Sequence, residues 1–214
     1  MIKAKICGLT RKEDALFAAY NGADAIGIVN VKESKRYVKL SDAREIFRAM
    51  PPFVSRVLVA SPTRVSEVKE IERSGADYLQ LHSVEDIMLI KEIRESTRMR
   101  LIKQLPVTGK ESIEQAEVYS NLVDAILLDT KTKDVMGGTG VVHDWDISRE
   151  IVARVKKPVI LAGGLNPANV LDAITKVRPY AVDVASGVEV TPGIKDTKKI
   201  EEFIRKVRTY GITG

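Results

Sequence analysis

Short β-rich runs alternating with amphipathic helical stretches predict an α/β fold, a single-domain (β/α)₈ TIM barrel over residues 1–214. Three observations carry this reading. The alternation runs from end to end with no linker or compositional break. Roughly eight βα units fit the length, toward the compact end of the barrel range. The competing open, doubly wound sheet calls for a G-x-G-x-x-G turn after its first strand, where this chain reads Cys7-Gly8-Leu9-Thr10.

The predicted strands are Ile2–Cys7, Ala25–Val29, Val54–Val59, Tyr78–Leu81, Arg100–Gln104, Ala125–Leu128, Val159–Leu161 and Ala181–Val184. Apolar residues at helical spacing mark Arg11–Tyr20 (Ala15, Leu16, Ala19), Arg64–Arg73 (Val65, Val68, Ile71) and Val84–Glu95 (Ile87, Leu89, Ile90, Ile93). Ser41 is read as the N-cap of Asp42–Ala49, Thr63 as that of Arg64–Arg73, and Asn166 as a cap followed by Pro167 at the first helical position. A weak internal echo supports a repeated unit. Gly22-Ala23-Asp24 leads into the second strand and Gly75-Ala76-Asp77 into the fourth, a glycine ending a helix and an aspartate opening a strand.

Composition narrows the function classes. Hydrophobic residues are 44% and charged residues 29%, a globular balance. No apolar run approaches a membrane span of roughly 20 residues. Met1–Cys7 reads as a strand with no cleavable hydrophobic segment behind it, so a cytoplasmic protein is expected. The single cysteine, Cys7, excludes an internal disulfide, and two histidines, His82 and His143, make a histidine-rich metal site an unlikely design. The 34 basic and 29 acidic residues leave a net charge of +5. Their signs alternate along helical stretches and aromatics are only 5%, which fits solvated helix faces. The expected partner is a small anionic molecule, with neither nucleic acid nor membrane.

Barrel chemistry lies at the carboxyl ends of the strands. Those ends read Cys7, Val29-Asn30, Val59-Ala60, Leu81-His82, Gln104, Asp129, Ala162-Gly163-Gly164 and Ala185-Ser186-Gly187. Asp24, Asp77 and Asp124 fall on the opposite rim, where capping is their expected task. Glycine-rich ends at the last two strands, each before a helix-like stretch, point to a phosphate held by backbone N–H groups. Cys7 and Asp129 could face each other across the mouth as base and acid. Strand alternation puts Lys5 on the face of Cys7, where its charge would favour the thiolate. An arginine after strand two, Arg36, could grip a carboxylate with two parallel bonds. The polar stretch Lys131–His143, with Gly137-Gly138-Thr139-Gly140, reads as a flap over the mouth. Asp129-x-Lys131-x-x-Asp134 resembles an orotidine phosphate decarboxylase array, but it follows strand six rather than an earlier strand and is set aside as chance.

Taken together, these motifs resemble the phosphoribosylanthranilate isomerase family over nearly the whole chain. They are Lys5-Ile6-Cys7-Gly8-Leu9-Thr10 with Asp14-Ala15, Lys35-Arg36-Tyr37-Val38, Leu79-Gln80-Leu81-His82, Leu127-Leu128-Asp129-Thr130, Gly137-Gly138-Thr139-Gly140, Ala162-Gly163-Gly164-Leu165-Asn166-Pro167 and Val182–Glu189. The resemblance implies an aldose–ketose isomerase of tryptophan biosynthesis, an intramolecular oxidoreductase. It would perform an Amadori rearrangement of N-(5-phosphoribosyl)anthranilate to the 1-deoxyribulose 5-phosphate, without metal or other cofactor. It further implies Cys7 as general base and Asp129 as general acid. Arg36 would bind the anthranilate carboxylate, Asp183 a sugar hydroxyl, and His82 would complete the substrate contacts. Backbone near Gly163, Gly164, Ser186 and Gly187 would hold the phosphate. The chain would work as a monomer or homodimer. Three positions depart from the common pattern: Ser83 where glycine often follows the histidine, Glu33-Ser34 before Arg36, and His143 where an aromatic often precedes Asp144-Trp145. A bifunctional relative with an aspartate in place of Cys7 is disfavoured by that cysteine, and a non-catalytic sugar-phosphate binder is the alternative from another class.

Overall fold

The computed structural model describes residues 1–84, 86–130 and 143–210. Eight parallel strands close a barrel in sequence order: β1 (Lys3–Ile6), β2 (Ala25–Val29), β3 (Ser55–Ala60), β4 (Tyr78–Leu81), β5 (Arg100–Val107), β6 (Ala125–Thr130), β7 (Val159–Leu161) and β8 (Ala181–Val184). Between and after them run α1 (Lys12–Tyr20), α2 (Leu40–Arg48), α3 (Val65–Glu72), α4 (Ile87–Ser96), α5 (Glu111–Ser120), α6 (Trp145–Arg154), α7 (Val170–Val177) and α8 (Thr197–Thr209). The predicted barrel is the observed one.

The strands are buried on both faces, as a parallel sheet requires. The main core lies between sheet and helices, where Ile6, Ile28, Leu79, Leu128 and Val182 meet Phe47, Ile90, Ile174 and Phe203. A smaller cluster fills the barrel interior: Val57, Ile102, Ala125, Leu127, Ile160, Ala162 and Ala181. Among the described residues, no helix is long and apolar enough to cross a membrane.

One device recurs on the amino-terminal rim. The Asp24, Asp77 and Asp124 carboxylates accept backbone N–H bonds from Ala4 (2.9 Å), Arg56 (2.8 Å) and Leu101 (2.8 Å) at the start of the adjacent strand. Each also pairs with a cation: Asp24 with Lys3 and Arg208, Asp77 with Arg56, and Asp124 with Arg94. The expected capping role is what the aspartates perform. Gly22 and Gly75 both have positive φ (97° and 82°), the left-handed turn that ends a helix.

Several boundaries differ from the sequence reading. The strand that starts at Arg100 continues past Gln104 to Val107, and its neighbour continues past Leu128 to Thr130, because the two pair as far as Val107 with Thr130. Asp129 therefore sits within β6 rather than after it. Pro106 is tolerated because the partner on its other side, β4, has ended opposite Lys103. Ser41 is not a cap: the Ala43 N–H reaches the Lys39 carbonyl (2.9 Å), so α2 starts two residues earlier, at Leu40. Thr63 lies before the Arg64 cap, and its N–H donates to the Glu67 carboxylate (2.9 Å). The Asp86 side chain caps α4 and moves its start to Ile87. Asn166 accepts from Ala168 N–H (2.8 Å) and Asn169 N–H (3.2 Å), but it caps a turn: α7 begins at Val170 with Asn169 as its N-cap, so Pro167 is not the first helical position. The sequence reading missed the antiparallel hairpin of β9 (Glu189–Thr191) and β10 (Ile194–Lys195), set between β8 and α8.

Candidate active site

Strand pleating aims alternate side chains into the barrel, and at the carboxyl ends these converge. A mouth cavity of about 360 Å³ is lined by Cys7, Arg36, His82, Asp129 and Asp183, together with Gln80 and Gln104. The five catalytic and substrate-binding residues read from the sequence therefore share one site. The volume suits a small-molecule ligand.

Beneath Cys7, Lys5 is 3% exposed. Its Nζ donates to Asp183 Oδ1 (2.8 Å), the residue paired with it in register on β8, and across the barrel to Gln80 Oε1 (2.9 Å). Burial pulls the Lys5 pKa down, but Asp183 and Cys7 together outweigh it and the net shift is upward, so the ammonium stays charged. Room for this arrangement comes from Gly27 on β2, where a Cβ would stand 2.8 Å from Cys7 Sγ and 3.2 Å from Lys5 Cε.

Burial pushes the Cys7 thiol up, Lys5 and Lys195 pull it down, and Asp183 pushes it up again; burial prevails. This corrects the expectation of a lowered thiol. Lys5 acts in the expected direction, but a desolvated sulfur beside the Asp183 charge needs more than one cation. Asp129 is shifted the same way. Burial raises its pKa, against N–H bonds from Thr130 to Oδ1 (2.8 Å) and from Gln104 Nε2 to Oδ2 (2.8 Å). A thiol and a carboxyl group thus line one cavity, each shifted toward its protonated form.

Arg36 lies over the end of β1. A Cβ at Gly8 (φ 70°) would come 2.5 Å from Arg36 Cδ, so this glycine serves both the turn after Cys7 and the arginine's approach. The guanidinium is already partnered, which the sequence did not reveal: Nε donates to Glu189 Oε1 (2.8 Å) and Nη2 to Oε2 (2.6 Å). Only its remaining donors can meet a ligand. Ser83, after His82, has φ 53°, a left-handed conformation that a glycine would adopt without strain.

Gly164, Ser186 and Gly187 line a second cleft of about 590 Å³ next to the mouth, with Asn166, Lys199 and Lys206. Ser186–Val188 forms one 3₁₀ turn. Gly163 and Gly164 are both left-handed (φ 81° and 69°), and a Cβ on Gly163 would collide with Thr130. A Cβ on Gly187 would collide with the Leu165 carbonyl, so that glycine lets the β7 and β8 loops touch. Thr130 is also bonded to His143, whose ring spans from Thr130 Oγ1 (3.0 Å) to Ser148 Oγ (2.6 Å). The expected flap, with Gly137–Gly140 and the Lys131/Asp134 array, lies outside the described residues. Among the described residues, no group of three or more His, Cys, Asp or Glu side chains is placed to hold a metal.

Comparison with known proteins agrees with this geometry. The family model of N-(5'phosphoribosyl)anthranilate (PRA) isomerase matches residues 4–206. The N-(5'-phosphoribosyl)anthranilate isomerase of Petrotoga mobilis is 43% identical over 213 residues, covering 99% of this chain and 100% of the relative. The crystal structure of the Thermotoga maritima phosphoribosyl anthranilate isomerase superposes with a TM-score of 0.89 at 42% identity, covering 97% of this chain and 99% of that one. A phosphoribosyl anthranilate isomerase solved with reduced 1-(o-carboxyphenylamino)-1-deoxyribulose 5-phosphate superposes at 0.85 and 40% identity, covering 97% and 99%. A full-length family match, a shared closed barrel, and a cysteine and an aspartate lining its mouth place this chain in the phosphoribosylanthranilate isomerase family.

Proposed function

We propose that this barrel isomerises N-(5'-phosphoribosyl)anthranilate to 1-(2-carboxyphenylamino)-1-deoxyribulose 5-phosphate in tryptophan biosynthesis, with Cys7 as general base and Asp129 as general acid. The observation that carries the assignment is the placement of Cys7 and Asp129 in one mouth cavity, with Lys5 charged beneath the sulfur. Asp129, whose protonated form burial favours, gives its proton to the furanose ring oxygen, and the ring opens to a Schiff base. The Cys7 thiolate then takes the proton from C2. The resulting enolamine tautomerises to the ketone; the thiol then gives its proton to solvent and Asp129 takes one back, which restores thiolate and acid for the next turnover. Proton transfer alone accomplishes this, so no metal or redox cofactor enters.

Asp183 would accept a sugar hydroxyl beside its bond to Lys5, and His82 would contact substrate from the end of β4. Arg36 would meet the anthranilate carboxylate. The backbone of Gly163, Gly164, Ser186 and Gly187 would hold the phosphate, since glycines, without side chains, let an anion come close to backbone N–H groups. The working unit is a monomer or homodimer in the cytoplasm, with no nucleic acid or membrane partner. Steady-state assay of Cys7→Ala and Asp129→Asn tests the assignment: each should lose about 100-fold or more in kcat while remaining folded. Wild-type turnover by either variant would refute it.

A further inference from the structure

Glu189 ends the longest of the sequence motifs, and nothing in the sequence gives it a task. We infer that Glu189, backed by Lys195, is a positioning residue that turns the free end of the Arg36 guanidinium toward the mouth to receive the substrate carboxylate. The inference rests on the reading of Arg36 as the carboxylate-binding group.

A guanidinium carries five N–H donors in a planar fork. Glu189 occupies its side edge, through Nε (2.8 Å) and one hydrogen of Nη2 (2.6 Å). The opposite edge, formed by Nη1 and the outer hydrogen of Nη2, matches a second carboxylate. Arg36 itself lines the mouth, whereas Glu189 lines the adjoining cleft, so the ion pair spans the wall between them.

The carboxylate doing the holding is itself fixed. Its side chain is 5% exposed, and Oε1 also accepts from Lys195 Nζ (3.0 Å) and Gly193 N–H (3.2 Å). The Thr10 hydroxyl donates to the Gly193 carbonyl (2.6 Å), and Lys195 N–H donates to Asp14 (3.2 Å), tying the β9–β10 hairpin to the segment after β1. Charge completes the argument. An Arg–Glu pair alone offers an incoming anion no net charge. The Lys195 side chain, 0% exposed, makes the triad singly positive. Glu189 also follows directly on Ser186–Val188, so one continuous segment carries both the phosphate turn and the hold on Arg36. It thereby sets the span between the two anionic ends of the substrate.

The test compares KM and kcat for the natural substrate and for N-(5-phosphoribosyl)aniline, which lacks the carboxylate, in wild type, Glu189→Gln, Lys195→Met and Arg36→Met. A misaligned charge-assisted pair should raise KM for the natural substrate by at least about tenfold. The inference expects that rise in Glu189→Gln and Lys195→Met, with kcat within twofold and KM for the aniline compound unchanged. A purely structural role would move both substrates together, because the same segment holds the phosphate turn; that result overturns the inference. An unchanged or lower KM in Glu189→Gln also overturns it, since Glu189 would then compete with substrate for Arg36. If Glu189→Gln does not fold, Lys195→Met decides by the same criteria. Arg36→Met separates the two levels. If it keeps the preference for the carboxylate, the reading of Arg36 fails and the inference with it. If it abolishes the preference while Glu189→Gln retains it, only the positioning role is lost.

Discussion

His143 should make the protein acid-sensitive through one identifiable group. Its ring joins the end of β6 to α6 by bonds to Thr130 and Ser148, one residue from the proposed acid Asp129. Burial lowers its pKa from 6.5 to about 4, against a weaker upward push from the Asp144 charge. A neutral ring is therefore part of the native state. Above pH 6.5 neither folded nor unfolded chain binds this proton, and the contribution is constant. Between 6.5 and about 4 the unfolded chain binds it and the native chain does not, so stability falls as pH falls. At 1.36 kcal/mol per unit the full gap is worth about 3 kcal/mol, of which about 2 kcal/mol is lost by about pH 5. Urea unfolding at about pH 7.5 and pH 5 measures it, with His143→Asn as comparison so that other titrating groups cancel. Wild type should lose about 2 kcal/mol more than the variant over that interval. Equal losses would show that His143 is not held neutral.

Four further outcomes are expected. Gly27→Ala should cut kcat by at least about tenfold with KM little changed, because its methyl would displace Cys7 and Lys5 rather than block substrate. Kinetic parameters of the folded variant check this. Inorganic phosphate should compete with substrate, and Gly164→Val should raise KM, since φ 69° suits no β-branched residue. Competition kinetics check both. Gly187→Val should instead lower thermal stability, because its side chain meets the Leu165 carbonyl; a normal melting temperature would contradict that contact. Activity should survive exhaustive chelation, and loss with EDTA reversed by a divalent ion would contradict the proton-transfer mechanism.

What the sequence made legible was local. Strand ends announce themselves, so Cys7, His82 and Asp129 could be named before their convergence was seen, while Asp183, inside β8, was named only through the family resemblance. The Gly-Ala-Asp echo likewise marked two of the rim aspartates, because it placed each at the start of a strand, although the N–H groups they cap lie on the adjacent strand, 20 and 21 residues away. Long-range partnership was hidden. Arg36 and Glu189 stand 153 residues apart, and neither neighbourhood signals the other. The same distance problem concealed why Gly8 must lack a Cβ, because the reason is the Arg36 side chain. The hairpin did carry a signal in Pro192-Gly193, a turn dipeptide, but its strands of three and two residues are too short for periodicity. The direction of the Cys7 shift was hidden for another reason. Sequence identifies a neighbouring cation, while the opposing desolvation exists only once the barrel has closed.

That last point sets the pH behaviour of the site. If Lys5 had prevailed over burial, Cys7 would hold more thiolate at neutral pH than an ordinary cysteine. With burial prevailing, the thiolate is the minor form, and the thiol titrates above its ordinary value of 9.0. Asp129, also raised, must meanwhile hold its proton. The reactive form is then thiolate with carboxylic acid, the reverse of the protonation order expected from the two pKa values, and it is a small fraction of the enzyme. The rate of Cys7 alkylation by iodoacetamide reads the thiolate directly, because this is the only cysteine. In free enzyme that rate should keep rising beyond pH 9.0. Lys5→Met should push the midpoint higher still, because it removes the nearest cation and leaves the Asp183 charge uncompensated. The profile of kcat/KM should be bell-shaped and lose its acid limb in Cys7→Ala. A wild-type alkylation midpoint well below the ordinary value would mean that Lys5 outweighs burial, and the reversed protonation argument would fall.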